Sequence, residues 1–542
     1  MTIIPQVSSI YLSTFNMNGK SITRYDAKQW LTNSNNNENN HAANDATASQ
    51  TDLVLLSLQE CPTYPSPPST SRNGNINLDY DDDISNLNPC VCILGPPMED
   101  NNKENDDLPS IISSVLSPNH VLIADIAMGE PPSSGGGTST YSTESGAPSK
   151  ESNNDINNHT SIEKYYGFIR LLVYAKIPLV KYILSSSQSC CNGQILIPVL
   201  SPTGCKQSST YHSNSNQYEY KTKPSPDKGG VCLFIPSLEL LICSIHLAGT
   251  NQYYTPESKF DMIRIQQLAT IQKDCHNIFF QHKDQHEENN HVVINDNEGD
   301  ANSSGRSELL LNFENYKVIV LGDLNFRVEL KCNPDEKGRG GIDYQSVKEI
   351  IMSGHPENVH NLFWNHDRLV KLLSSSSSEQ YYHEMMTATM TTMTTTTKNT
   401  EKSISKCDLS MLQNVIDVFM EAFPKHGKTK GFMNILPTFT FELSSGEGKG
   451  DRKEKEQLQK KELEANNNDL TSKLLVQTRA YANKRTPSWT DRILIDQTLI
   501  QSNTGHSYDI HVLESKPYVT ISDHIPVCCL LQLHLDCADN MS

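Results

Sequence analysis

Acids, amides and histidines stand at the ends of apolar runs throughout this chain. Asn16 and Asn18 follow YLSTF, Gln59 and Glu60 follow DLVLLSL, and His246 follows LLICSI. Asp323 and Asn325 follow KVIVLG, while Asp523 and His524 stand just before IPVCCLL. Singly, each has an ordinary explanation. A Glu after a strand is a solvated loop residue, and Gly-Asp-x-Asn is turn chemistry, because Asp and Asn hydrogen-bond their own backbone. Jointly they form a set suited to metal-assisted hydrolysis of a phosphate ester. Glu60 and Asn16 offer the hard oxygens that Mg²⁺ prefers, and no Cys/His spacing fits zinc. Asp323 can take a proton from an attacking water, and Asn325 can hold that water or a phosphoryl oxygen. His246 and His524 can donate to the phosphate and offset developing charge. A carboxylate behind a histidine fixes its tautomer and holds it cationic. Asp491, in the charged stretch KRTPSWTDRIL at 484–494, is the candidate for that role.

Residues so far apart converge only if strands deliver them to one rim. Short β-like runs occur at 9–16, 52–60, 121–129, 168–176, 229–237, 238–247, 317–328, 488–496 and 525–535, with HVLES before the last. Some alternate apolar and polar residues; others are apolar throughout, as in a sandwich core. Helices fit 256–279 and 409–423, where apolar residues recur at three and four. This pattern implies an α+β chain of two packed sheets with helices outside. The apolar stretch KIPLVKYIL (176–184), with two lysines, is either a core element or a point of bilayer contact.

Polar low-complexity stretches interrupt the runs. We read a single domain over 9–535 with disordered inserts at about 33–50, 73–108, 130–160, 282–308, 374–403 and 443–470, none able to bury enough apolar surface to offset ordering. The net charge of −18 over 542 residues argues against nucleic acid at first sight. It is uneven, however: 73–108 alone carries nine acids and one lysine. Fourteen cysteines show no C-x-x-C spacing, so free thiols in a reducing compartment are expected. The N-terminus reads as no signal peptide and no run approaches a membrane span, which points to a cytoplasmic protein.

The blocks FNMNG, LQE, DKGGV, SIHLAGT, VLGDLNFRV, LPTFTFE, KRTPSWTDRIL and SDHIPV stand in the order seen in the inositol polyphosphate 5-phosphatases. The chain resembles that family from about Ser9 to Leu535. The resemblance implies a four-layer α/β/β/α sandwich, deoxyribonuclease-I-like, of the magnesium-dependent endonuclease/exonuclease/phosphatase superfamily. It implies that Glu60 and Asn16 hold Mg²⁺ and that Asp323 orients water as the base. It implies that Asn325 and His246 bind the scissile 5-phosphate and that Asp523 lies near metal and water. His524, paired with Asp491, would stabilise the pentavalent transition state. Lys228, Lys484 and Arg485 would face phosphate, Arg492 would form ion pairs, and Trp489 would pack beneath.

The implied reaction is removal of the 5-phosphate from phosphatidylinositol 4,5-bisphosphate and related lipids, or from soluble inositol polyphosphates, by in-line water attack. The implied partner is such a headgroup, with transient peripheral contact at the cytosolic face of membranes and no nucleic acid. The alternatives are another phosphodiesterase or nuclease of the superfamily, or a non-catalytic phosphoinositide-binding scaffold. Departures from the pattern bear on specificity. HLAGT retains only the first histidine of its block, Asp227 replaces an Asn, and Thr490 a Cys. Phe439, Thr440 and Asn483 replace a Tyr and two Lys that, by the resemblance, bind a 4-phosphate. Weakened selection for that phosphate is therefore expected.

Overall fold

Strands such as LVLLSL and KVIVLG carry no charge in their interiors, so both of their faces must be covered. The computed structural model does this with two sheets stacked between helical layers. It describes residues 7–32, 48–62, 91–92, 107–129, 167–186, 196–212, 217–249, 257–289, 316–328, 344–353, 355–374, 415–423, 436–441, 481, 486–500, 506–516 and 519–535. The strands are β1 (Ser9–Asn16), β2 (Leu53–Cys61), β3 (Val91–Cys92), β4 (His120–Met128), β5 (Phe168–Lys176), β6 (Ile197–His212), β7 (Gln217–Ile235), β8 (Leu240–His246), β9 (Lys317–Asp323), β10 (Val415–Asp417), β11 (Asp491–Asp496), β12 (His506–Ser515) and β13 (Val527–Leu535). One sheet runs β12-β13-β1-β2-β5-β4-β3 and the other β10-β11-β9-β8-β7-β6.

The helices are α1 (Arg24–Leu31), α2 (Leu108–Ser113), α3 (Ile177–Ser186), α4 (Glu257–Asn289), α5 (Tyr344–Met352), α6 (Pro356–His366), α7 (Arg368–Ser374), α8 (Val418–Ala422) and α9 (Gln497–Ile500). Between the sheets lie Leu12, Leu55, Leu171, Val173, Leu233, Ile242, Ile319, Leu321 and Ile493. The opposite face of the first sheet buries Phe15, Leu56, Leu172 and Tyr174 against Trp30 of α1 and Ile112 of α2. The opposite face of the second buries Cys243, Ile245 and Val320 against Ile265, Leu268 and Ile271 of α4. The expected four-layer α+β sandwich is therefore the observed fold.

Two parallel pairs create the rim. Within otherwise antiparallel sheets, β1 runs parallel to β2 and β8 parallel to β9. Their registers set Asn16 opposite Gln59 and His246 opposite Asp323. Antiparallel β11 sets Asp491 opposite Asp323 on the other side. Gly322 permits this: at φ 153°, an added Cβ would lie 1.9 Å from the Ile245 carbonyl oxygen.

Some boundaries differ from expectation. The helix expected at 409–423 begins only at Val418, because Val415–Asp417 pairs with β11 as an edge strand and Asp417 then caps α8 at the Phe419 amide. Residues 409–414 lie outside the described residues. Stretches read as insert carry structure: Ala48–Gln50 forms a 3₁₀ turn, Val91–Cys92 pairs with β4, and α4 continues to Asn289. Most of each insert lies outside the described residues. The stretch at 176–184 forms α3, which buries Leu179, Val180 and Ile183. It follows the end of β5 that pairs with Leu53 at the start of β2, so it sits at the rim opposite Glu60. No helix is long and apolar enough to cross a membrane among the described residues.

Arg492 answers why charge enters the start of a buried strand. Fully buried, it donates to the carboxylates of Asp367 and Asp417 and to the Trp489 carbonyl. Its guanidinium lies 5.7 Å and 5.3 Å from the ring centroids of Phe363 and Phe419. Breaking a buried ion pair strands its partners, typically at ~3–5 kcal/mol. We expect Arg492→Met to lose about that much in a denaturant melt, with both carboxylates left unpaired. A loss below about 1 kcal/mol would show that Arg492 is not what holds α6–α8 to β11.

Candidate active site

The two sheets present their polar strand ends to each other at this rim. Asp323, nearly fully buried, accepts from Asn16 Nδ2 at 3.0 Å through Oδ2 and from the Asn325 amide at 3.0 Å through Oδ1. Its Oδ2 lies 3.6 Å from His246 Nε2 and 4.0 Å from His524 Nε2. Glu60 reaches in from the other sheet, with Oε1 at 3.7 Å from His246 Nε2. His524 Nδ1 donates to Asp491 Oδ2 at 2.8 Å, and Thr490 Oγ1 donates to the same oxygen at 3.1 Å. Asn16, Glu60, His246, Asp323, Asn325, Asp491 and His524 therefore converge. Asp523, half-buried, adjoins His524 in the chain. Lys484 and Arg485 lie outside the described residues.

Local backbone is bent to achieve this. Glu60 and Asn325 hold φ of 50° and 58°, a region L-residues rarely visit. Asn tolerates that region; Glu does so only where its surroundings impose it. At Glu60 the imposing feature is a bulge: the β2–β5 register shifts between Leu58 and Cys61. Gly167 fits against it, since a Cβ there would meet the Glu60 carbonyl carbon at 2.0 Å. The half-exposed Glu60 side chain is thereby turned from strand to cleft.

Electrostatics divides the two histidines. Burial pushes His246 well down, and Lys228 adds to the effect. Lys228 Nζ donates to the His246 ring and is itself pushed down by burial, against the pull of Glu60 and Asp323. His246 therefore enters as a neutral imidazole, with Lys228 as the adjoining donor. Burial would also lower His524, but Asp491, then Asp323 and Asp523, outweigh it and raise the group to about 9. Burial opposes ionisation of Asp323, yet the cations around it, His524 first and then Lys228 and Arg327, hold it down to about 2. The site thus presents an anionic carboxylate facing an imidazolium.

Asp323, Asp491 and His524 lie close enough to hold an ion between them. The bond between His524 Nδ1 and Asp491 instead makes these a carboxylate-oriented imidazole. A metal fits better at Glu60 and Asn16. Glu60 offers a half-exposed carboxylate open to hydrated ions. Among the described residues Asn16 Oδ1 accepts only from the Asn18 amide, at 3.0 Å, which leaves one lone pair. This all-oxygen pair suits a hard cation that keeps several waters.

Three residues support the site in roles that the sequence did not indicate. Arg327 donates to Asn325 Oδ1 at 2.9 Å and stacks at 4.1 Å on the Phe439 ring. Phe439 in turn lies 4.5 Å from the His524 ring, so it packs beneath the site rather than lining an open cleft. Thr438 Oγ1 accepts the Thr490 and Asp491 amides and fixes the start of β11. Adjacency to GDLN could have signalled Arg327. Thr438 carried no chemical signal of its own, and Phe439 signalled a substituted ligand rather than a packing role.

Comparison with known proteins bears on this geometry. Residues 443–530, which include Asp491 and His524, match the family described as Endonuclease/Exonuclease/phosphatase family 2. The match supports the endonuclease/exonuclease/phosphatase superfamily. No curated protein sequence matches the chain. Among solved structures, similarity extends to the inositol polyphosphate 5-phosphatase domain of SPsynaptojanin in complex with inositol (1,4)-bisphosphate and calcium ion. That domain is 13% identical, with 98% of this chain and 86% of that chain covered and a TM-score of 0.36. Cimex nitrophorin is 12% identical, covering 98% and 100%, with a TM-score of 0.33. An AP endonuclease from Leishmania major is 8% identical, covering 97% and 88%, with a TM-score of 0.30. Scores this low carry no argument about activity.

Proposed function

We propose that this chain is a Mg²⁺-dependent phosphoric monoester hydrolase that removes the 5-phosphate from phosphoinositides, and from soluble inositol polyphosphates, by in-line attack of water. The observation that carries this reading is Asp323, held by register between His246 and Asp491 and facing the imidazolium of His524. The superfamily match of 443–530 supports a divalent-metal hydrolase, and the motif resemblance supports the inositol branch. We place the enzyme in the cytoplasm, in transient contact with membrane lipid and not with nucleic acid.

Phosphoryl transfer of the loose kind asks mainly for positioning and for countercharge. Asp323, held near 2, is a weak base in the ground state and a strong hydrogen-bond acceptor. It orients the attacking water and receives its proton late, as the bond to phosphorus forms. Asn325, its carbonyl oxygen held by Arg327 and its amide donating to the Leu247 carbonyl at 3.0 Å, positions backbone and phosphoryl oxygens. Lys228 and His524 supply positive charge and donors to the equatorial and leaving oxygens. Bound at Glu60 and Asn16, Mg²⁺ would polarise the phosphoryl group as a Lewis acid.

The test is phosphate release, with and without Mg²⁺, from phosphatidylinositol 4,5- and 3,5-bisphosphate, soluble inositol trisphosphate and a DNA duplex. Release from the inositol substrates, lost on chelation, is expected; activity confined to DNA would overturn the reading. Phe439 and Thr440 are buried and offer no cation. The two lipids are therefore expected to differ by less than the ~10–100-fold that one charged hydrogen bond would contribute. Glu60→Gln is expected to raise the Mg²⁺ needed for half-maximal rate, because it removes the ligating charge. An unchanged Mg²⁺ titration would remove Glu60 from the metal site.

A further inference from the structure

A second convergence of reactive groups lies on the far face of the β8–β9 sheet. Cys232 of β7 and Cys243 of β8 are directly opposed in an antiparallel register. Cys275 of α4 comes down onto them, and the three sulfurs all lie within 4.8 Å of one another. All three are fully buried free thiols. One buried cysteine is ordinary core filling. Three thiols delivered by three different elements to one point form a ligand set. Strand alternation puts Cys243 on the face opposite Ser244 and His246, among Ile245, Leu268 and Ile271. The catalytic rim therefore makes no use of them.

We propose that Cys232, Cys243 and Cys275 form a three-sulfur binding site for a soft monovalent cation of the Cu(I) class. Two features select that class. The donors are sulfur only, which favours soft ions over the hard ion suited to the catalytic rim. Among the described residues the set offers three sulfurs, one short of the four that close a structural zinc site. Cu(I) binds with no change of oxidation state, and each thiol that ligates it as a thiolate releases one proton.

The site depends on nothing in the proposed hydrolase reading. It is tested on the full chain, reduced and anaerobic, by titrating Cu(I) against bicinchoninate. One tight equivalent per chain is expected, with a melting temperature that rises as free Cu(I) rises. Cys275→Ala should weaken that equivalent by more than the ~10–100-fold typical of losing an outer-sphere partner. Cys528→Ala, at a buried thiol outside the cluster, should leave it unchanged. X-ray absorption at the copper edge of the wild-type chain gives a result independent of any variant's folding, and three sulfur neighbours are expected. Absence of a tight equivalent, its persistence in Cys275→Ala, or nitrogen and oxygen neighbours at the metal would each overturn the site.

Discussion

Asp323→Asn is expected to lower kcat by ~10²–10⁴, the usual range for loss of a general base, while the fold survives. The amide keeps the shape of the side chain but cannot accept a proton. It also carries no charge to hold His524 protonated, so two contributions are lost together. Stability changes less, and for a definable reason. Asp323 accepts from Asn16 Nδ2 and from the Asn325 amide. An Asn can turn its single oxygen to only one of these donors, leaving the other facing an NH₂. One unsatisfied buried donor costs ~1–3 kcal/mol, within the reserve of a typical domain. Phosphate release and a thermal melt on the same preparation separate the effects. A variant that retains more than half of wild-type activity would show that Asp323 does not handle the water. A variant that is inactive because it is unfolded would appear in the melt, and Asp323→Glu would then test whether the carboxylate must sit at this distance.

Most of the layer order was legible in the sequence because the strands that build it are apolar through both faces. Residues 168–176 read as a strand and are one, because nothing in FIRLLVYAK offers a helical face. The site was legible for a related reason: chemistry stands where apolar runs stop, and β1–β2 and β8–β9 are parallel, so their ends coincide. Other features depend on contacts that no local pattern encodes. Val415–Asp417 shares the spacing of the helix that follows it, and only pairing with β11 makes it a strand. Phe439 reads as a substituted ligand; in space it is a wedge between Arg327 and His524. The three-cysteine cluster is invisible to spacing, since its members stand 11 and 32 residues apart on different elements.

Asp491→Asn is expected to cost ~10²–10⁴ in kcat at neutral pH, as for loss of an acid catalyst, and to move the alkaline limb of the rate profile toward lower pH. In the wild-type chain His524 is raised to about 9 against the burial that would lower it, chiefly by Asp491. The protonated form that the proposed reaction needs is therefore present below about 9 and lost above it. An Asn at 491 still accepts from Nδ1 at the same place, so orientation survives while the charge does not. His524 then loses its proton at lower pH, with only Asp323 and Asp523 left to oppose burial. The stability consequence has a definite sign. A histidine whose folded pKa exceeds its unfolded value of about 6.5 contributes stability that is fully present below 6.5 and is lost as pH rises through about 9. That contribution is on the order of 3 kcal/mol, and the variant should lack most of its pH dependence. Denaturant melts at pH 6 and pH 10 measure it, and a kcat profile measures the limb. A purely structural Asp491 would lower stability equally at both pH values and leave the limb near 9. An unmoved limb would assign the alkaline loss of activity to another group and end the case for His524 as the acid.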